Sequence, residues 1–157
     1  MPAQTITSYL ETLLRVLDEF KPRYILEFGS GHSTGYFATY SSVERVETVE
    51  HDFSFFKEMQ GRCYDNVDIF HIPDFELYAC HKPRFSPDLA FIDGRNRVKC
   101  LRECRLLSPI VMLHDADRGK YREGIDLYKF KIWTDDGNTV TLCNDEEIYT
   151  RLSEILK

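Results

Sequence analysis

No stretch of the sequence stays apolar for the ~18–20 residues that a bilayer-spanning helix needs, so no helical membrane anchor is expected. The opening residues Met1-Pro2-Ala3-Gln4-Thr5 lack the basic region and following apolar stretch of a secretion signal, and a cytoplasmic location is expected. No Cys-x-x-Cys occurs. The five cysteines, Cys63, Cys80, Cys100, Cys104 and Cys143, are odd in number, and the chain is long enough to fold without disulfide staples. Reduced, mostly buried thiols are the expectation. Cys80-His81 is a single pair and too little for a zinc site. Repeats, low-complexity tracts and Gly/Ser linkers are missing too, so residues 1–157 read as one domain. A basic stripe is also absent. With a formal charge of −6, a nucleic-acid partner is not expected, and a small-molecule substrate is.

What is present suits a packed core. Hydrophobic residues make up 43% of the chain and aromatics 13%, which argues against disorder. Short apolar runs alternate with amphipathic stretches. Residues 5–20 place Ile6, Leu10, Leu13, Leu14 and Leu17 on one helical face, and Pro22 ends that helix. Strands are expected at Tyr24–Phe28, Arg45–Glu50, Val67–Ile72, Leu89–Asp93 and Ile110–His114. Helices are expected between them, roughly at 33–40, 53–62, 96–107 and 119–128, and a last one near 145–156. The alternation implies right-handed crossovers and a parallel sheet. Near the end the rhythm breaks: Lys131–Thr134 and Thr139–Leu142 flank Asp135-Asp136-Gly137-Asn138, a hairpin signal. The expected class is α/β, a mostly parallel seven-stranded sheet with a C-terminal antiparallel hairpin and helices on both faces.

In open α/β sheets ligands bind where strand order reverses, beyond the carboxyl ends of the strands. The chemically informative residues of this chain fall at those ends. After the first strand comes Glu27-Phe28-Gly29-Ser30-Gly31-His32-Ser33-Thr34, whose glycines allow a tight turn and close backbone approach. Backbone N–H groups at the following helix start can receive a carboxylate. After the second strand comes Glu50, an acid able to accept hydrogen bonds from ribose hydroxyls. The dinucleotide fingerprint wants a third glycine where this chain has Thr34, and Gly35 comes one place late. A nicotinamide-dependent oxidoreductase is therefore a lesser reading. An acid two places before the first glycine suits a ligand carrying an ammonium group and no phosphate.

On these residues the chain resembles the class I S-adenosylmethionine-dependent methyltransferases. Leu26–Thr34 is similar to their first motif and Val49-Glu50-His51-Asp52 to their second. Phe91-Ile92-Asp93-Gly94-Arg95 and Leu113-His114-Asp115-Ala116 are similar to the fourth- and fifth-strand signatures of small members. The resemblance spans residues 22–130 and implies the Rossmann-like methyltransferase fold, S-adenosylmethionine as cofactor and methyl transfer as activity. It implies that the loop Glu27, Gly29, Ser30, Gly31, His32 and Ser33 holds the methionine end. It places Glu50 on the ribose, His51 beside the adenine, Asp74 near the adenine amino group, and Asp93 toward the sulfonium or substrate. Asp93, His114 and Asp115 are the candidate catalytic residues, His114 as a general base.

Plainer readings stand beside these. Asp74 follows Pro73 and suits a turn, and His114 suits a satisfied buried histidine. Asp93 and Asp115 resemble the acid pair of metal-dependent catechol-type enzymes. Here, however, Ala116 stands at the usual asparagine ligand, and Arg95 and Asn96 replace the segment around the catalytic lysine. No metal is expected. Arg95, Arg97 and Arg118 suit either a substrate carboxylate or phosphate, or a structural network with Asp93, Asp115 and Asp117. The tyrosines and phenylalanines elsewhere follow core spacing. One helix before the first strand and no insertion after the fifth leave little material for a substrate lid. A second copy or a partner chain could complete the site, and a non-catalytic cofactor-binding subunit is the alternative.

Overall fold

The computed structural model describes residues 3–156, with side chains from Tyr9 to Leu156; Ile6, assigned above to the first helix's apolar face, lies outside the described side chains. Helix α1 (Ala3–Phe20) leads into β1 (Tyr24–Phe28), α2 (His32–Thr39), β2 (Arg45–Glu50), α3 (Phe53–Gly61) and β3 (Val67–His71). Then follow α4 (Phe75–Ala79), β4 (Leu89–Ile92), α5 (Arg97–Leu107) and β5 (Val111–Leu113). A 3₁₀ turn (Gly119–Tyr121), α6 (Arg122–Ile125), β6 (Phe130–Trp133), β7 (Val140–Cys143) and α7 (Glu146–Leu156) complete the chain.

The seven strands form one sheet in the order β3-β2-β1-β4-β5-β7-β6. The first five pair in parallel; β7 runs antiparallel to both β5 and β6. This is the expected sheet, hairpin included. Strand order reverses beside β1, which lies between β2 and β4, so the switch point sits over the ends of those strands.

Alternation along the strands builds two cores. Leu26, Phe28, Ala90, Ile92, Val111 and Leu113 face Tyr78, Cys100, Leu101 and Ile125 of α4, α5 and α6. Ile25, Val46, Leu89, Phe91 and Met112 face Leu13, Val16, Leu17, Phe37 and Leu152 of α1, α2 and α7. Strands buried on both faces read as nearly continuous apolar runs, which is why they were visible in the sequence.

Two elements differ from expectation. The five-residue α4 is additional, nucleated by Asp74, whose Oδ1 accepts the N–H groups of Glu76 and Leu77 at 2.9 Å each. The helix expected at 119–128 is a 3₁₀ turn plus the four-residue α6. Gly124 packs closely there: a Cβ on it would lie 2.7 Å from Leu101 Cδ1 and 3.2 Å from Val98 Cα.

Candidate active site

The turn after β1 is shaped by Gly29 and Gly94. Gly29 has φ +92°, a region costly for other residues, and its N–H donates to Val49 O at 2.9 Å. A Cβ on Gly29 would stand 2.7 Å from Asp93 O. One on Gly94 would stand 1.9 Å from the Tyr78 hydroxyl and 3.1 Å from Gly29 N. The loops after β1 and β4 therefore pack backbone against backbone, and this brings Asp93 beside the glycine turn.

Glu27 lies beneath that turn. It is fully buried, and its carboxylate accepts hydrogen bonds from Ser33 Oγ, from Thr34 Oγ1 at 2.7 Å and from Thr48 Oγ1 at 2.7 Å. Burial pushes its carboxyl up to about 7, although the three hydroxyls pull the other way. Glu27 thus reaches the crevice only through Ser33 and Thr34. Thr34 also accepts the N–H of Gly31 at 3.0 Å, so the residue in the third-glycine place anchors the loop to Glu27.

Glu50 ends β2 and is 3% exposed. Its Oε2 accepts from Ser30 N at 2.9 Å and Ser30 Oγ at 2.6 Å, and its Oε1 accepts from Asp52 N at 2.9 Å. His51 Nδ1 stands 3.1 Å from the same Oε1. The acid therefore ties the glycine loop to β2. His51 packs edge-on against Phe75 at 5.5 Å, and its Nε2 receives Arg95 Nε at 3.4 Å. His51 thus sits among Glu50, Phe75 and Arg95, and Asp74 spends one oxygen on the α4 cap.

Asp93, His114 and Asp115 converge, each offering a ligand-type atom within 4.8 Å of the others. Asp115 has φ +50°, a strained value for a non-glycine residue. Burial pushes the Asp93 carboxyl up, and Asp115 adds to this; His114 and Arg97 oppose it. Arg97, only 8% exposed, joins the loops after β4 and β5. It donates to Gly94 O at 2.9 Å and to His114 O, and stands 3.4 Å from Asp93 Oδ1 and 3.9 Å from Asp115 Oδ2. The carboxyl pair already has a built-in cation, so a metal here would have to compete with a buried guanidinium. The expected network of arginines with acids holds for Arg97 alone. Arg95 meets His51, and no ion pair involves Arg118 among the described residues.

Sequence reasoning missed several participants. Tyr9 of α1 packs its ring on His114 at 4.5 Å, and Thr139 Oγ1, buried at the start of β7, lies 3.0 Å from His114 Nδ1. A cavity of about 370 Å³ opens beside the cluster, lined by Tyr9, Leu10, Gly31, His32, Ser33, Tyr36, Asp93 and His114. Tyr9 and Tyr36, assigned to the core by their spacing, are cavity walls. Tyr36 gave one usable signal, since it directly follows the glycine loop; Thr139 gave none, because it is 25 residues from its partner.

No protein-family model matches the chain, and no curated protein does. Solved structures do. The methyltransferase domain of a bacterial CtHen1 superposes with TM-score 0.63 at 10% identity, over 89% of this chain and 100% of that one. Spermidine synthase from Thermotoga maritima gives TM-score 0.69 at 12% identity, over 95% of this chain and 62% of that one. The N-methyltransferase NodS from Bradyrhizobium japonicum WM9 gives 0.60 at 7% identity, over 90% and 97%. Together with the strand order and the terminal hairpin, these likenesses establish that the chain has the Rossmann-like methyltransferase fold.

Proposed function

We propose that the protein binds S-adenosylmethionine over the ends of β1, β2 and β4 and transfers its methyl group to a small-molecule acceptor in the adjoining cavity. The observation that carries this reading is convergence: Gly31, Ser33, Asp93 and His114 line one cavity near the strand-order reversal, and Glu50 is bonded to Ser30 of the same glycine turn. The donor set fits the cofactor. A carboxylate has about four lone-pair sites, and Glu50 commits three to protein donors. One remains for a ribose hydroxyl, and rotation of the Ser30 hydroxyl frees a second. The crevice is fitted for a cation rather than a pyrophosphate, because Thr34 consumes the Gly31 N–H and Asp93 lines the cavity. A nicotinamide cofactor is disfavoured on the same ground.

When bound, the cofactor supplies an activated methyl group on a sulfonium. Gly29, Ser30, Gly31, His32 and Ser33 would hold its amino-acid end, Glu50 the ribose, and His51 and Asp74 the adenine, with Asp93 near the sulfonium. His114 serves the acceptor. With its Nδ1 proton directed at Thr139 Oγ1, Nε2 presents a lone pair on the side of Asp115, 3.8 Å away, and can take a proton from an acceptor hydroxyl or amine. Arg97 holds the two acid-bearing loops in register, which is the larger need in an in-line transfer.

Calorimetric titration with S-adenosylhomocysteine tests the reading. Glu50→Ala should abolish binding, and Glu50→Gln, which keeps an acceptor oxygen for Ser30, should weaken it tenfold or more with the thermal transition retained. Unchanged affinity in both variants would refute the site. Release of S-adenosylhomocysteine by the isolated chain across an acceptor panel separates an enzyme from a subunit that needs a partner chain.

A further inference from the structure

On the α5–α6 side of the reactive cluster lies a second cavity of about 270 Å³, walled by Gly94, Arg95, Asn96, Val98, Arg118 and Lys120, with Arg97 and Tyr121 also contributing. Its wall is cationic although the chain carries 26 acidic against 20 basic residues. Arg97 is spent on Asp93 and Asp115. The other three cations are not neutralised: among the described residues Arg95, Arg118 and Lys120 form no ion pair with a carboxylate. Arg95 meets only the neutral-capable ring of His51, at 3.4 Å, and Lys120 lies 5.2 Å from the Tyr121 ring centre. Some other exposed cations among the described residues find acids, as in Arg23–Glu44, Arg62–Glu58, Lys82–Glu103 and Arg102–Glu123, and others do not; what sets these three apart is that they share one concavity. Cations gathered at one concavity repel each other and focus a positive potential there. The backbone adds to this field, since α5 starts at this wall with Asn96 at φ +47° and no side-chain cap on its first amides. The cavity is tied to the reactive cluster through Arg97, which lines it and stands 3.4 Å from Asp93 Oδ1 and 3.9 Å from Asp115 Oδ2.

We propose that this cavity receives an anionic group, carboxylate or phosphate, of the methyl acceptor, and so selects acidic small molecules whose nucleophile lies beside Asp93 and His114. The identification of the ligand as the acceptor rests on the proposed function; the anion site itself does not. Arginine forks match either oxyanion, and Lys120 adds a point charge.

The test is NMR titration of the full chain with inorganic phosphate and, separately, with malonate, each against sodium chloride at equal ionic strength. Saturable shifts of the Gly94–Val98 and Arg118–Tyr121 amides are expected from at least one anion and not from chloride. Arg118→Ala/Lys120→Ala should weaken that binding at least tenfold while S-adenosylhomocysteine binds as before. The stronger anion names the group. Absence of saturation with both anions, or equal binding by the double variant, overturns the proposal. So does a short single-stranded oligonucleotide that binds the same amides more tightly than either anion. Anion binding without S-adenosylhomocysteine binding would leave the cavity standing and sink the proposed function; the reverse would sink the cavity alone.

Discussion

Glu27→Gln is expected to stabilise the protein above neutral pH and to flatten its pH dependence. Burial pushes the Glu27 carboxyl from the ordinary 4.5 up to about 7. In the unfolded chain the group titrates near its ordinary value. Between those two pH values the folded state holds a proton that the unfolded state has released, so stability falls as pH rises through the window. The loss is complete above about pH 8 and, at about 1.4 kcal/mol per pH unit, amounts to about 3 kcal/mol. The group is fully buried, so solvent screening does not reduce this figure. Glutamine keeps an acceptor oxygen, and its amide can donate to a hydroxyl of Ser33, Thr34 or Thr48 that turns to accept. That rearrangement costs about 1 kcal/mol at any pH, which leaves a net gain of about 2 kcal/mol at high pH and a net loss of about 1 kcal/mol at low pH. Urea unfolding of both proteins at pH 5 and pH 8.5 measures the difference. A stability gap between wild type and Glu27→Gln that is the same at both pH values would refute the reasoning, because it would mean that Glu27 titrates alike folded and unfolded.

Gly94→Ala should destabilise by about 1–3 kcal/mol through overpacking, because its Cβ lands on the Tyr78 hydroxyl, and Tyr78→Phe should recover part of that loss in a double-mutant cycle by urea unfolding. Native thiol titration should label exposed Cys63 fast and Cys80 slowly, leaving Cys100, Cys104 and Cys143 unreacted. Burial pushes the Cys100 and Cys104 thiols up, and Cys143 up to about 11; a native count above two contradicts the packing. Thr139→Val should lower kcat with KM held and displace the acid limb of the kcat profile, whereas a purely structural role would leave that limb in place.

Most of the fold was legible because its signals are local. Short apolar runs such as those of β1, β4 and β5, a Pro22 stop and the Asp-Asp-Gly-Asn turn each declare themselves within a few residues. The elements misjudged are those set by distant partners. Five residues of α4 are too few for periodicity to register, and Asp74 shows its capping role only with the backbone in place. The 119–128 segment has helical composition, but it forms a 3₁₀ turn and one α-turn, with Gly124 packed against Leu101. The site divides in the same way. The strand-end residues could be listed from sequence, while Arg97 as the clasp between Asp93 and Asp115, and Tyr9 and Thr139 around His114, depend on elements far apart in the chain.

Glu27 and Glu50 look equivalent in sequence and stand on the same face of the sheet, since Thr48, the register partner of Glu27, lies two residues before Glu50; their places along the strands separate them. Glu27 is the penultimate residue of β1, and its side chain joins Ile25 on the face covered by α1 and α2. Glu50 is the last residue of β2, paired with His71, where the strand gives way to the crevice. One acid is therefore sealed under the loop and shapes it through Ser33 and Thr34, while the other holds the loop through Ser30. Substitutions at the two positions should then fail differently. Loss of Glu27 acts on binding only as far as it relaxes α2, so it should follow stability. Loss of Glu50 should remove binding from a protein that is still folded.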